Sequence, residues 1–482
     1  MTLNRRHFLK STLAAAASVT IAGTKSSGRV LGANEAIRVG VAGLNGRGGE
    51  HVRAFLGMEG VQITYLIDPD TRTFAAKSRQ IRERSGNTPR TLQDVRTALE
   101  DRNLDVLSIA TPNHWHSLMT IWACQAGKDV YVEKPMSHNG HEGRMAADMA
   151  RRHDRIVQHG TQSRTDGGWA NVMDVIRSGQ LGRLLVARGL CYKDRYSPRS
   201  GGLVPSVRRV DSPRELDFNI WTGPAPSRPY HENLVHYRWH WFWDFGNGDI
   251  GNQGVHQMDI ARWAIAGATL PRSAICLGGR FGNPDQGESP NTQVALFDYG
   301  RTKLIFEVRG LPTQRYRNQM VGNTFHLEEG TIVGTSAFYP RGRNRAEPLP
   351  RVSASRRGPG RDHFANFIAA VRSRQQADLN ANILEGHYSS ALCHLANISY
   401  RLGSNVPFNP RARAITDNPD ATEALERMEE HLRMDEVNLQ TTNVRVGPRL
   451  VFNTETESFV DNAEANRLLT RDNRRPFVVN NS

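Results

Sequence analysis

Cysteine is scarce in this chain. Its four cysteines, Cys124, Cys191, Cys276 and Cys393, lie far apart and form no C-x-x-C pair. That spacing excludes both a zinc site and a disulfide framework, and leaves them as small buried apolar residues. Lysine-rich runs and recognisable nucleic-acid modules are also missing, so nucleic acid is not an expected partner. No internal repeat is present. The apolar stretch Ser11 to Gly23 covers about 13 residues, too few to span a bilayer as a helix, which takes about 20. The formal charge is +14, but Arg5, Arg6, Lys10, Lys25 and Arg29 contribute five positive charges with no acid in the first 33 residues, leaving +9 for the rest. A balance of that size permits an anionic partner without requiring one.

What the chain does have begins at its N-terminus. Asn4-Arg5-Arg6-His7-Phe8-Leu9-Lys10, followed by the alanine-rich run, resembles a twin-arginine export signal. Residues 1–33 are therefore read as a signal, the mature chain as having no transmembrane segment, and the destination as periplasmic or otherwise extracytoplasmic.

The stretch from Ile37 to Asp68 carries the strongest pattern. An apolar strand, Ile37 to Ala42, runs into the glycine turn Gly43-Leu44-Asn45-Gly46-Arg47-Gly48. Val52, Phe55 and Leu56 then recur at helical spacing, and a second apolar run, Val61 to Ile67, ends in Asp68. Strand, glycine turn, helix, strand and acid form the layout of a dinucleotide site. The glycines allow a tight turn and close approach to a pyrophosphate, the helix N-terminus offers N–H groups to it, and the acid suits ribose hydroxyls. Strands and helices continue to alternate up to His159, which predicts a parallel, doubly wound sheet over 37–159. From 160 to 402 the pattern changes to strands 183–192, 273–281, 291–299 and 302–309 with helices at 168–178, 254–266, 361–373 and 385–402, predicting an α/β domain with an open, mainly antiparallel sheet. Residues 403–482 are polar and read as an irregular, packed-on extension.

Strand 130–132 delivers Glu133-Lys134-Pro135 at its C-terminal end, the edge where open α/β sheets bind ligands. A lysine there can share a proton with a substrate hydroxyl while hydride leaves the carbon. Taken with GLNGRG at 43–48, IDPD at 67–70, ATPNHWH at 110–116, VQHGTQSR at 157–164, WTGPAP at 221–226 and GVHQMDIARW at 254–263, the chain resembles the Gfo/Idh/MocA family of glucose–fructose oxidoreductase, inositol dehydrogenase and relatives.

The resemblance implies an NAD(P)-dependent oxidoreductase acting on a sugar or cyclitol, with NAD as cofactor, NADP as the alternative, no metal, and a homo-oligomeric state. Gly43, Asn45, Gly46, Arg47, Gly48 and Asp68 would hold the nucleotide. Thr111, Pro112, Asn113, His116, Glu133, Lys134 and Gln162 would line its cleft. Lys134 and His256 would be catalytic, with Asp259 one turn on facing the same way, and Arg164, Asn252 and Asp259 would meet substrate. Asn252 stands where many relatives carry an aspartate, so it can orient but cannot hold charge. Two alternatives accompany this reading: an NAD-dependent glycoside hydrolase or lyase working through transient oxidation, and a non-catalytic sugar-binding protein. The aromatic cluster Tyr237–Trp243 reads as domain-interface core or as a sugar platform. The loop 197–230 and the tail beyond 404 are candidates for covering the cleft.

Overall fold

The computed structural model describes residues 36–195, 202, 207–282, 285–352, 358–408 and 418–479. The twin-arginine segment and part of the 197–230 loop therefore lie outside the described residues.

Six strands form the first sheet: β1 (Ile37–Ala42), β2 (Val61–Ile67), β3 (Arg90–Leu92), β4 (Val106–Ile109), β5 (Asp129–Val132) and β6 (Val157–His159), in the order β3-β2-β1-β4-β5-β6. All pairings are parallel. Helices cover both faces, which is why β1, β4 and β5 read as unbroken apolar runs. The strand order reverses between β1 and β4, opening a crevice at their C-terminal ends. One covering element comes from far along the chain. The helix His363–Ser373 lays Phe364, Phe367 and Val371 against Val39, Val41 and Tyr131, with the Phe364 and Tyr131 rings stacked at 4.4 Å. Residues 37–159 alone do not close this layer.

The second sheet has twelve strands: β7 (Leu184–Tyr192), β8 (Ser273–Gly279), β9 (Thr292–Tyr299), β10 (Thr302–Arg309), β11 (Val321–Leu327), β12 (Gly330–Val333), β13 (Ala337–Pro340), β14 (Glu347–Pro348), β15 (Ser404–Pro407), β16 (Asn443–Val446), β17 (Leu450–Asn453) and β18 (Ser458–Phe459). It is antiparallel except where β10 runs parallel to β7. The helices Gly167–Ser178, Gly254–Ala264 and Ile383–Arg401 pack on one face. The last of these also contributes Ile383 to the core of the first domain, tying the two layers together.

The C-terminal extension is not the irregular tail expected. β16 and β17 add to the edge of β8, and the helix Pro419–Met434 packs Ala421, Ala424, Leu425, Met428 and Leu432 onto the other face of the large sheet, over Ile275, Val294 and Ile305. Beneath that helix, Glu307 accepts from Arg188 at 2.7 Å and from Arg309 at 3.0 Å. These strands are only two to four residues long, too short for alternation to stand out in a polar segment. The chain itself thus covers part of the second face of the open sheet.

Candidate active site

A cleft of about 370 Å³ lies at the strand reversal, between the two domains. Its nucleotide end is built by the turn after β1. Gly43 has φ +82°, and a Cβ there would sit 2.6 Å from the Ala110 backbone. A Cβ at Gly48 would meet the Gly43 carbonyl at 1.7 Å, whereas nothing stands within 4 Å of one at Gly46, so the turn is tight behind and open in front. Asp68 accepts from the backbone N–H of Leu44 at 2.7 Å and of Asp70 at 2.9 Å, locking the acid to the turn; burial raises its pKa. Asp70 receives Arg72 at 2.6 Å and His236 Nε2 at 2.8 Å. Arg72 is thereby paired and does not line the cleft.

The middle of the cleft turns on Glu133, whose Oε1 takes Arg47 Nε at 2.8 Å, Gln162 Nε2 at 3.0 Å and His51 Nε2 at 3.2 Å. Burial works against its ionisation, but the His51 bond and the Arg47 charge hold it well below the usual carboxylate range. The two ring nitrogens of His116 face the carbonyls of Thr111 at 2.7 Å and Pro135 at 2.6 Å, so this residue fixes the loop rather than reaching a substrate. Asn113 Nδ2 donates to Asn247 at 3.1 Å. The Thr111 hydroxyl is buried with no partner.

At the far end Lys134 Nζ donates to the Asn252 carbonyl at 2.8 Å. Burial lowers its pKa, opposed by Glu133. The His256 ring lines the cleft without a hydrogen-bond partner among the described residues. Burial, then Lys134, pushes its pKa down to about 3, leaving a neutral imidazole that can take a proton. Asn252 Nδ2 donates to Tyr237 Oη at 3.0 Å.

Of the residues expected from sequence, Gly43, Asn45, Gly46, Arg47, Asp68, Thr111, Pro112, Asn113, His116, Glu133, Lys134, Gln162, Asn252 and His256 all line this cleft. Gly48 stands behind the turn. Arg164 and Asp259 do not reach the cleft. They pair with each other, Arg164 Nε and Nη2 on both Asp259 oxygens at 2.9–3.0 Å, while Ser389 donates to the same carboxylate at 2.6 Å. Asp259 is fully buried, a structural anchor inside the core. Ile220, Trp221, His236, Tyr237, Trp239 and His240 also line the wall, and of these Trp221, in the WTGPAP motif, and the aromatic cluster gave a signal in the sequence. That cluster divides: Tyr237 and Trp239 face the cleft, Trp241 and Phe242 the core. Among the described residues none after His256 lines it. Instead Arg471 braces from behind, donating to the His114 carbonyl at 2.9 Å, Glu142 at 2.9 Å and the Asp244 carbonyl at 3.2 Å.

Comparison with known proteins fits this layout. Residues 37–161 match a family model described as oxidoreductase family, NAD-binding Rossmann fold, and residues 175–271 match its C-terminal alpha/beta domain. Both models are those of the Gfo/Idh/MocA family, which these two segments resemble. It is 24% identical to levoglucosan dehydrogenase of Pseudarthrobacter phenanthrenivorans over 50% of this chain and 57% of that protein. It is 28% identical to inositol 2-dehydrogenase of Leifsonia xyli over 39% and 54%, and 27% identical to a glycosyl hydrolase family 109 protein of Shewanella pealeana over 38% and 45%. The chain thus spans about half the length of these curated relatives. Its fold is similar to that of the WlbA dehydrogenase of Bordetella pertussis, solved with NADH and UDP-GlcNAcA, with a TM-score of 0.56 and 20% identity over 76% of this chain and 97% of that one. The first domain is an NAD-binding Rossmann domain, and its residues fit the dinucleotide: the turn leaves a cradle that a side chain would fill, and Thr111 presents a buried hydroxyl that a ligand can satisfy.

Proposed function

We propose that the protein is an exported NAD-dependent oxidoreductase that removes hydride from a hydroxyl-bearing carbon of a sugar or cyclitol. The observation that carries this reading is the His256 side chain, with no hydrogen-bond partner among the described residues, lining the same cleft as Lys134. Bound NAD supplies the hydride acceptor. His256 takes the hydroxyl proton as the C–H bond gives up hydride, and the Lys134 ammonium, tethered at Asn252, stabilises the negative charge that grows on that oxygen. Asn252 orients Lys134 without adding charge. Asp68 at this end of the cleft disfavours a 2′-phosphate, and Arg72 is turned onto Asp70 rather than toward the cleft; this supports NAD over NADP.

Export supports a retained cofactor, because free nicotinamide nucleotide is scarce outside the cytoplasm and a folded protein can carry its own. The test is mass spectrometry of small molecules released from the denatured protein, then a sugar screen at the reduced-nicotinamide absorbance band. The expected result is roughly one NAD per chain and turnover of at least one sugar or cyclitol; nucleotide-free protein that binds NAD weakly overturns retention. Export is tested by replacing Arg5 and Arg6 with lysine, which should abolish periplasmic accumulation.

A second reading draws on the similarity to glycosyl hydrolase family 109 proteins: transient oxidation, loss of a glycosidic substituent, and re-reduction at the same site. It predicts glycoside cleavage with no net NADH, whereas intact Lys134 favours plain dehydrogenation.

A further inference from the structure

Tyr237 stands out within the cleft. Among the described residues it is the aromatic side chain that remains exposed, at 41%, although it lines the same cavity as Lys134 and His256. An exposed ring in a cleft wall is ordinarily mobile, yet this one is held. Its ring lies 4.6 Å from that of His240, and the Arg195 guanidinium sits 5.8 Å from its centroid.

The polarity of its hydroxyl follows from its neighbours. Asn252 Oδ1 faces Lys134 Nζ at 3.5 Å, and its Nδ2 faces Asp249 Oδ1 at 3.4 Å. An ammonium only donates and a carboxylate only accepts, so the amide can be placed one way: nitrogen toward Asp249 and toward Tyr237. Tyr237 Oη therefore accepts from Asn252 at 3.0 Å. Its own O–H has no acceptor among the described residues and is free to donate into the cleft.

We infer that Tyr237 is a substrate-binding residue, its ring a platform for the pyranose or cyclitol face and its phenol a donor to a second substrate oxygen, apart from the one His256 deprotonates. Linked through Asn252 to Lys134, it sets where the reacting carbon lies, and it selects polyols over simple alcohols. Asn252 serves this arrangement as a carboxylate would not: an amide donates to the phenol and leaves its proton pointing at substrate, whereas a carboxylate would draw that proton to itself. The inference rests on the proposed dehydrogenase reading.

The test uses full-length, NAD-loaded protein and its Tyr237→Phe variant with a panel of cyclitols and pyranoses, beginning with myo-inositol and levoglucosan, and their monodeoxy counterparts. The variant keeps the ring and removes one exposed hydroxyl. Its KM for a turned-over polyol should rise roughly 10-fold, the worth of one hydrogen bond, with kcat changed much less and bound NAD unchanged. The wild type should lose a similar factor on the one deoxy substrate that lacks the contacted oxygen, and the variant should not discriminate against it further. Equal KM values for the two proteins overturn the inference while leaving the dehydrogenase reading intact. A parallel fall in kcat and NAD retention overturns it in favour of a structural role. Wild-type protein inert to the whole panel overturns the dehydrogenase reading and the inference with it.

Discussion

At the nucleotide end of the cleft, Gly43, Leu44 and Asp68 lie within one strand–helix–strand unit, where Gly43 N–H donates to the Ile67 carbonyl and Leu44 N–H to the Asp68 carboxylate. At the chemical end, Lys134 comes from the first domain, Asn252 and His256 from two helices of the second, and Tyr237 from the connecting segment between them. The first end is a local structure that survives small shifts between domains. The second exists only where the two domains meet, and burial lowers the pKa values of both its ionisable groups, Lys134 and His256. Binding and chemistry are therefore separable in this molecule, and each can be broken without the other.

The sharpest separation should come from Lys134→Ala and His256→Ala. Proton transfer by a placed side chain contributes roughly 10²–10⁴-fold to rate, so either variant should lose about that in kcat. NAD affinity, anchored at Gly43 and Asp68, should scarcely move. Stopped-flow rates and nucleotide titration on the same preparation check both halves. Near-normal kcat in Lys134→Ala would remove the lysine from the mechanism.

Acid should separate scaffold from chemistry. Burial holds His114, His159 and His394 near a pKa of about 3 and His363 near 4. The unfolded chain takes up these protons near pH 6.5, so the stability they confer is complete above 6.5 and falls as pH drops toward the folded values. Each contributes up to about 1.4 kcal/mol per pH unit of that window, and together they should lower the melting temperature steeply between pH 6.5 and 4.5. His256 stays neutral over the same range, so kcat/KM of the protein that remains folded should hold. An acid limb near pH 6.5 would mean that its imidazole is not held neutral.

At the nucleotide end, Asp68→Ala leaves the Leu44 and Asp70 N–H groups without their acceptor. An unsatisfied buried donor costs about 1–3 kcal/mol, so NAD should bind roughly 10- to 100-fold more weakly, with kcat at saturating NAD little changed. Discrimination against NADP should shrink at the same time, since Asp68 is the carboxylate at this end that lines the cleft. A titration of both nucleotides measures this directly.

The two ends also differ in how far they could be read from sequence. The turn, Asp68 and Lys134 were legible because each is punctuation at the end of an element, a glycine where φ must be positive or an acid or lysine where a strand stops, whereas Asn252 and His256 were placed only by resemblance to the family's motif. Asp259 misled for a geometric reason. Three residues after His256 it is turned only about 60° around the helix axis, so the spacing alone puts both on one side, and it is the ion pair with Arg164 and the Ser389 hydroxyl that hold its carboxylate in the core instead of the cleft. Arg164 went with it, because a cation after a strand end looks the same whether it faces a ligand or an internal acid. Tyr237 was visible as an aromatic but not as a cleft residue, since only the packing of Trp241 and Phe242 decides which rings of that cluster face out. The extension hid its strands by their shortness.

The smallest effect expected is also the one that joins the two ends. Arg471 clamps the carbonyl of His114, at the start of the helix Asn113–Gln125 that borders the nucleotide, to Glu142 and to Asp244 in the segment that carries the cleft's aromatic wall. Nearby, Arg474 donates to the Gly223 carbonyl at 3.0 Å and Phe477 packs edge-on to Trp115 at 5.4 Å. Truncation after Gly403 would uncover a whole face of the large sheet and confuse bracing with unfolding. Arg471→Ala removes the brace alone. It should leave kcat at saturating substrate nearly intact, because no catalytic group is touched, and speed release of bound NAD a few-fold, since elements that hold a cleft shut set release rates. Trapping released nucleotide with an excess of a second dehydrogenase reads the rate. An unchanged release rate would show that the domain angle is set by the helix Ile383–Arg401 without help from the extension, whose role would then be confined to covering the sheet.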